Sequence, residues 1–148
     1  MSMYNRIMIK HNALSLVAKI RDKANKLIVS ELEANQITGI VPSHGDILMF
    51  LYREKQPLSV KALAEKIHRT QPTTTVLINK LEQLGFVDRT KDEKDSRVSL
   101  IHLTEKGRGL EPVFVAISQK VNNAIYGSLN EEQSLQLEQL LEQVHAQF

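Results

Sequence analysis

Cysteine is absent from this chain of 148 residues. Its absence excludes disulfides, thiolate zinc sites and the sensing of oxidants through a thiol. The sequence also has no apolar run of the ~18 residues that a membrane-spanning helix requires. Its first residues, MSMYNRIMIKHN, lack the long apolar segment and the cleavage site of a secretory signal. We therefore expect a cytoplasmic protein that does not engage membranes.

Motifs for catalysis and metal binding are also missing. The sequence has no nucleophile–base pair, no Gly-rich phosphate loop and no paired carboxylates at a spacing typical of an active site. Its five histidines show no ligand spacing. His44 lies two residues from Asp46, so a metal site there is an alternative to ordinary surface or capping histidines. We expect no enzyme, no cofactor and no bound metal.

The formal net charge is only +2, but it is distributed unevenly. Residues 53–108 carry twelve basic and eight acidic side chains, a net charge of +4. Residues 109–148 carry one basic and five acidic side chains, a net charge of −4. This asymmetry favours a polyanion as the partner of the middle region and another partner for the C-terminal region. An ordinary solvated surface is the alternative.

The most regular pattern lies in residues 54–87, EKQPLSVKALAEKIHRTQPTTTVLINKLEQLGFV. Ser59 and Thr70 are N-cap candidates for two helices joined by a short turn, which predicts a helix-turn-helix. Residues 86–87 and 98–103 flank a charged loop and predict a β-hairpin. A helix-turn-helix followed by such a hairpin is a winged helix, so the predicted fold is mainly α with a small β-hairpin wing.

Apolar residues at helical spacing predict further helices on both sides of this region. Ser43 and Asp46 form a capping-box pattern at the start of one helix. Thr104 and Asn130 are N-cap candidates for two others. Pro112 lies well inside its helix and predicts a kink. The predicted helices span about residues 8–34, 43–53, 104–126 and 131 onward.

A helix that reads DNA needs short or polar outward side chains, because the backbone must approach the base edges. In the second helix of the helix-turn-helix, Gln and Asn can bond to adenine, Thr and Val can touch the thymine methyl, and Lys80 can hold phosphate. An ordinary polar helix face is the alternative. The predicted DNA-contacting residues outside the hairpin are Ser59, Arg69, Gln71, Thr73, Thr75, Val76, Asn79 and Lys80.

The hairpin tip, DEKDSR at residues 92–97, mixes acidic and basic side chains. The basic residues of the hairpin can approach phosphates or enter the minor groove. Asp95 has the wrong sign for that task, so we interpret it as a support that pairs with a basic group and directs Arg97. A solvated loop is the alternative. The basic residues considered are Arg89, Lys91, Lys94 and Arg97, of which the last three are predicted DNA contacts.

Residues 43–107 resemble the MarR family of transcriptional regulators. The resemblance is carried by the helix-turn-helix stretch and by Asp95-x-Arg97 followed by LTEKG at 103–107. It implies a dimer whose recognition helix enters the major groove and whose Arg97 enters the minor groove. It also implies a small, often phenolic or anionic, effector bound between the DNA-binding and dimer regions. Val76 departs from the basic residue that many members carry there, and the cysteine of the peroxide-sensing branch is absent.

The terminal helices carry more apolar surface than one neighbour can cover, which favours a symmetric dimer over intramolecular packing alone. We predict one domain, 1–148, with a winged helix-turn-helix at 43–107 and dimerisation helices at 1–34 and 108–148. The predicted function is a ligand-responsive repressor that binds a pseudo-palindromic operator of double-stranded DNA as a homodimer. The alternative is a winged-helix module for protein interaction or DNA architecture. The predicted dimer residues are Leu14, Val17, Val121, Ile125, Leu137, Leu140, Leu141 and Val144.

Overall fold

The computed structural model describes residues 8–148 and shows a mainly helical winged helix, which confirms the predicted fold class. The first seven residues of the predicted segment 1–34 lie outside this description. In chain order the elements are α1 (Ala13–Ala34), α2 (Pro42–Glu54), β1 (Leu58–Ser59), α3 (Val60–Ile67), α4 (Gln71–Gln83), β2 (Val87–Lys91), β3 (Ser99–Leu103), α5 (Glu105–Gly109), α6 (Glu111–Tyr126) and α7 (Glu131–His145).

The first two helices begin elsewhere than the sequence predicted. His11 has a φ of 53°, in the left-handed region, so α1 begins at Ala13 rather than near residue 8. The predicted capping box of Ser43 and Asp46 is wrong. Helix α2 begins at Pro42, whose ring presets the helical φ and whose missing N–H costs nothing in the first turn. The N–H of Val41 donates to His44 Nδ1 at 2.8 Å instead.

The predicted helix over 104–126 is two helices rather than one kinked helix. Helix α5 ends at Gly109, and Leu110 (φ −86°, ψ −7°) joins it to α6. Pro112 therefore lies in the first turn of α6, where its missing N–H leaves no hydrogen bond unmade. The two glycines of α5 are poor helix formers and favour a break at this point.

The sheet has three antiparallel strands in the order β1-β3-β2, one strand more than the predicted hairpin. In β2 and β3, Val87 pairs with Leu103 and Arg89 with Ile101. Strand β1 adds a two-residue edge on the other side of β3, where Leu58 pairs with Ile101. Two residues are too few to show an alternating pattern, so the sequence did not reveal this strand.

The core lies where α2, α3 and α4 pack on the sheet, and α1 and α6 reach it from one side. Tyr52 of α2 donates its hydroxyl hydrogen to the carbonyl of Gly107 in α5, at 2.7 Å. A Cβ on Gly107 would lie 2.1 Å from the Phe86 carbonyl oxygen, so this close approach requires glycine. Within residues 8–148, every helix is too short or too polar to span a membrane. The most completely buried side chains include Leu32, Ile47, Leu48, Leu51, Leu63, Ile78, Leu81, Val87 and Ile101.

Candidate nucleic-acid interface

Two side-chain caps set the geometry of the helix-turn-helix formed by α3 and α4. Ser59 Oγ accepts the N–H of Ala62 at 3.1 Å, and Thr70 Oγ1 accepts the N–H of Thr73 at 3.3 Å. His68 ends α3 in the left-handed conformation, which turns the chain tightly toward α4. Both predicted caps are confirmed. Ser59 is thus a structural cap. Its Oγ is the acceptor in that cap, so its hydroxyl hydrogen can still be donated to DNA, and this contact stays a prediction.

Helix α4 has one buried face and one exposed face, and we call the exposed residues Gln71, Thr73, Val76 and Asn79 the ridge of α4. Thr74 is fully buried and donates its hydroxyl hydrogen to the Thr70 carbonyl at 2.8 Å, so this polar side chain costs little inside the core. Val76 on the opposite side is 67% exposed. Of the predicted contact residues on this helix, Gln71, Thr73, Val76 and Asn79 are exposed, whereas Thr75 and Lys80 are half-buried.

Lys80 is half-buried at the side of α4 and does not project outward with the exposed residues of the ridge. Its Nζ is 3.5 Å from the position that a Cβ on Gly39 would occupy, so it packs beside the loop between α1 and α2. His44 is buried nearby. Burial lowers the pKa of His44, and the positive charge of Lys80 lowers it further. The phosphate contact of Lys80 therefore stays a prediction, which requires its flexible side chain to swing outward.

At the tip of the wing, Asp95 and Arg97 form a forked ion pair. Arg97 Nε lies 3.1 Å from Asp95 Oδ1, and Arg97 Nη2 lies 3.2 Å from Oδ2. The backbone N–H of Arg97 also donates to Oδ1 at 3.1 Å. These bonds lower the pKa of Asp95. The Arg97 side chain remains 88% exposed, so the pair directs the guanidinium without covering it.

The rest of the tip is closed by local hydrogen bonds. Asp92 Oδ1 accepts the N–H of Lys94 at 2.8 Å, and the Asp92 N–H donates to the Val98 carbonyl at 2.9 Å. The Val98 N–H donates to the Asp95 carbonyl at 3.0 Å. Lys91 and Lys94 are exposed. The acidic residues thus shape the turn, and the cations point into solvent.

Arg89 is a residue whose position the sequence analysis missed. It lies on β2 but reaches back to α4, where its Nη2 donates to Asn79 Oδ1 and its Nε lies 3.4 Å from Glu82 Oε2. Strand alternation is the signal that could have revealed it. Two residues after the buried Val87, Arg89 faces the helices rather than solvent.

Arg69 lies exposed in the turn between α3 and α4. Partial desolvation raises the pKa of Asp46 on α2, and the positive charges of Arg69 and Arg21 act against that increase. The exposed charge of Arg69 thus acts on this carboxyl group without forming an ion pair of its own with it. Among residues 8–148, no cluster of three or more histidine and acidic side chains could hold a metal ion.

Helices α1, α6 and α7 leave an apolar surface open, which we call the terminal apolar face. Among the predicted dimer residues, Leu14, Val17, Leu140, Leu141 and Val144 are exposed. Val121, Ile125 and Leu137 are half-buried. These three line a cavity of about 380 Å³ between the helices. Helix α7 has no buried residue at all.

Two further cavities lie beside the winged helix. A cleft of about 580 Å³ runs between α2, the wing and the start of α6, with Tyr52, Lys55, His102 and Arg108 in its walls. A smaller cavity of about 180 Å³ lies between α1, α2 and α6. Its wall is mostly apolar, and the residues that line it are Ile28, Pro42, Gly45, Asp46, Met49, Phe114, Ile117, Ser118, Val121 and Asn122.

Known proteins are similar to this chain in sequence and in architecture. Residues 41–99 match the model of the MarR family. The HTH-type transcriptional regulator SarZ of Staphylococcus epidermidis is 35% identical over 91 residues, which are 62% of this chain and 62% of that protein. The name of this relative describes it as a transcriptional regulator with a helix-turn-helix.

Solved structures extend the likeness to nearly the whole chain. The S. aureus MepR–DNA complex matches with a TM-score of 0.84 at 26% identity, over 92% of this chain and 98% of that one. A MarR transcriptional regulator from Methanosarcina mazei Go1 matches with a TM-score of 0.74 at 27% identity, over 90% and 93%. The architecture therefore includes the terminal helices as well as the winged helix.

Proposed function

Starting from the MarR-family domain at residues 41–99, we propose that this protein regulates transcription by binding double-stranded DNA in a sequence-specific manner. One observation carries the proposal. Helix α4 presents a ridge of exposed short and polar side chains, and the wing beside it presents an exposed arginine that Asp95 holds in place. Shape, chemistry and charge of this surface suit a major groove and the adjacent minor groove.

The contacts divide into two kinds. The residues along or beside the ridge of α4 would face base edges. This first group comprises Gln71, Thr73, Thr75, Val76 and Asn79. The cations and the hydroxyl around the ridge would hold the sugar–phosphate backbone and the minor groove, which fixes the register without reading sequence. This second group comprises Ser59, Arg69, Lys80, Lys91, Lys94 and Arg97.

The terminal apolar face supports a homodimer. Its exposed leucines and valines would be covered by the same face of a second copy, because a two-fold interface joins identical patches. A symmetric pair of winged helices suits a pseudo-palindromic operator with half-site centres about one helical turn, ~10 bp, apart. The C-terminal region carries a net charge of −4 and would face away from the DNA.

The cavity between α1, α2 and α6 supports a small-molecule effector. Its walls come from the winged helix and from the helices of the terminal apolar face, so a ligand there could change the angle between them. Its volume of about 180 Å³ is below that of a pocket for a drug-sized ligand, so it limits an effector to about one ring, and Asp46 would favour a hydrogen-bond donor on that ring. Release of DNA on binding would make the protein a ligand-responsive repressor.

Selection of bound duplexes from a random DNA pool tests the proposal. We expect one enriched, pseudo-palindromic sequence whose affinity falls steeply with salt, because phosphate contacts release counterions. Addition of candidate single-ring compounds should then weaken binding to the selected duplex. Binding without any sequence preference, or a salt-insensitive complex with another protein instead, would favour the alternative of an architectural or protein-interaction module.

A further inference from the structure

Arg89 of the wing forms a hydrogen bond with Asn79, which is one of the exposed residues of α4. The Arg89 Nη2 group donates to Oδ1 of Asn79, which is exposed on α4. The Arg89 Nε lies 3.4 Å from Glu82 Oε2, one turn further along the helix. The Arg89 side chain is only 28% exposed, so it is packed between β2 and α4. Arg89 therefore belongs to the support of the ridge and is not presented to a phosphate.

The contact fixes which end of the Asn79 amide faces the wing. A guanidinium has only donors, so the atom that meets it must be the amide oxygen. If the amide were flipped, its NH₂ would meet N–H groups of Arg89 and the hydrogen bond would be lost. The hydrogen bond from Arg89 uses only the oxygen of the amide, and within residues 8–148 the Asn79 NH₂ has no protein acceptor. This donor is the part of Asn79 left for a ligand.

Glu82 explains why an arginine is suited to this place. Without Arg89, the carboxylate of Glu82 would be an unpaired negative charge on the surface of α4, close to the phosphates of a bound duplex. Arg89 offsets that charge by proximity, because its Nε lies 3.4 Å from Glu82 Oε2 without forming a hydrogen bond, and its Nη2 donates to Asn79. A lysine would supply the charge, but it has no planar guanidinium that places Nε near Glu82 and Nη2 on Asn79 at the same time.

We propose that Asn79 reads its base pair as a fixed hydrogen-bond donor, and that Arg89 is the positioning residue that imposes this polarity. The inference rests on the proposed function. A free asparagine can flip and accept from a base as readily as donate to it. With its oxygen held by Arg89, Asn79 favours guanine, adenine or thymine on the strand that it faces, because each presents a major-groove acceptor. It disfavours cytosine on that strand, whose own edge offers only a donor and whose paired guanine presents its acceptors on the far side of the groove.

The test begins by locating the base pair. In the duplex selected by the full-length protein, Asn79→Ala should flatten the preference at one position per half-site. Four duplexes that differ only there are then titrated. We expect the wild-type protein to bind the cytosine duplex about tenfold or more weakly than the best one. Arg89→Met, which keeps the aliphatic stem but frees the amide, should shrink that ratio to about twofold while other positions keep theirs.

Two further variants serve as a control for the lost charge and as an independent test. Arg97→Met removes the same charge from the same wing without touching Asn79, so it should weaken all four duplexes by a common factor. Asn79→Asp leaves Arg89 intact and replaces the outward donor by an acceptor, so the preference should shift toward cytosine. This second variant keeps the test valid if Arg89→Met lowers the melting temperature.

The outcomes separate this inference from the proposed function. If Arg89→Met keeps the wild-type ratios, or if Asn79→Ala changes no position of a selected duplex, the inference is overturned while sequence-specific binding stands. If the wild-type protein selects no sequence, the proposed function itself fails. A uniform loss of affinity in Arg89→Met, equal to that of Arg97→Met, would show that Arg89 acts only through its charge.

Discussion

The middle of the chain and its two ends bury their apolar surface in different ways. In the middle, α2, α3, α4 and the sheet enclose side chains such as Leu63, Ile78 and Ile101 completely. At the ends, α1 buries only Leu32, and α7 buries no residue. Leu14 on α1 is 83% exposed. The middle thus forms a core that needs only Leu32, Phe114 and Ile117 from the terminal helices. The exposed remainder of the ends needs another surface, which the proposed second copy of the chain would supply.

The largest effect is expected from a cavity in the middle region. Ile78→Ala removes most of a fully buried side chain on α4, so the free energy of unfolding should fall by about 2–5 kcal/mol. The matched variant Gln83→Ala changes an exposed residue of the same helix and should stay within about 0.5 kcal/mol of the wild type. Guanidinium chloride unfolding measures both. Equal losses would contradict the assignment of the buried face.

A charge on the terminal apolar face should break the proposed dimer and leave the middle folded. Leu140→Glu would bury an unpaired carboxylate in the proposed interface, so the dimer dissociation constant should rise by at least about tenfold. Gln139→Glu adds the same charge to the neighbouring exposed position of α7 and should leave the dimer intact. Sedimentation equilibrium measures both variants. A dimer that tolerates Leu140→Glu would place the interface elsewhere.

Acid should weaken the middle region through His44. Because burial lowers the pKa of His44 in the folded protein, the unfolded chain takes up the proton first as the pH falls below ~6.5. Stability should therefore be fully present above that pH and be lost as the pH falls toward the lowered pKa of the folded state, by up to about 1.4 kcal/mol per unit of difference between the two pKa values.

A glutamine in place of His44 tests that origin. Its side-chain oxygen can still accept the N–H of Val41, but it does not titrate, so His44→Gln should flatten the slope of stability against pH. The variant His145→Gln, at an exposed histidine of α7, should retain the slope. Urea unfolding at several pH values provides the comparison, and an unchanged slope in His44→Gln would refute the assignment.

The smallest effect is expected at the wing tip. Asp95→Ala removes a negative charge near DNA, yet it should weaken operator binding by a few-fold, because Arg97 loses the carboxylate that orders it. Simple charge counting predicts the opposite sign. Affinity titrations at several salt concentrations decide between the two. Tighter binding by Asp95→Ala would show that the wing tip is only a solvated loop and that Asp95 does not orient Arg97 for DNA.

Local features of the fold were predictable, and contacts between distant residues were not. The caps at Ser59, Thr70, Thr104 and Asn130 each join a side chain to an N–H three residues ahead, so the sequence shows both partners together. The Asp95–Arg97 pair is local in the same way. The hydrogen bond from Tyr52 to Gly107 joins residues 55 positions apart, and no sequence periodicity encodes it.

The candidate site shows the same division. The outward ridge of α4 follows from helical spacing, so the exposed positions of Gln71, Val76 and Asn79 could be predicted. The tie from Arg89 to Asn79 depends on the register between β2 and β3 and on how the wing packs against α4. Only the assembled tertiary structure fixes that arrangement, and it changes the chemistry that Asn79 offers.

The division of labour between middle and ends is tested most directly by the spacing of two half-sites. The selected operator is compared with a duplex in which ~5 bp, about half a helical turn, are inserted at its centre, and the affinity of the full-length protein for each is measured. If the ends join two winged helices into a rigid dimer, the insertion should place one half-site on the opposite side of the duplex and lower affinity to that for a single half-site. Equal affinity for both duplexes would contradict the account.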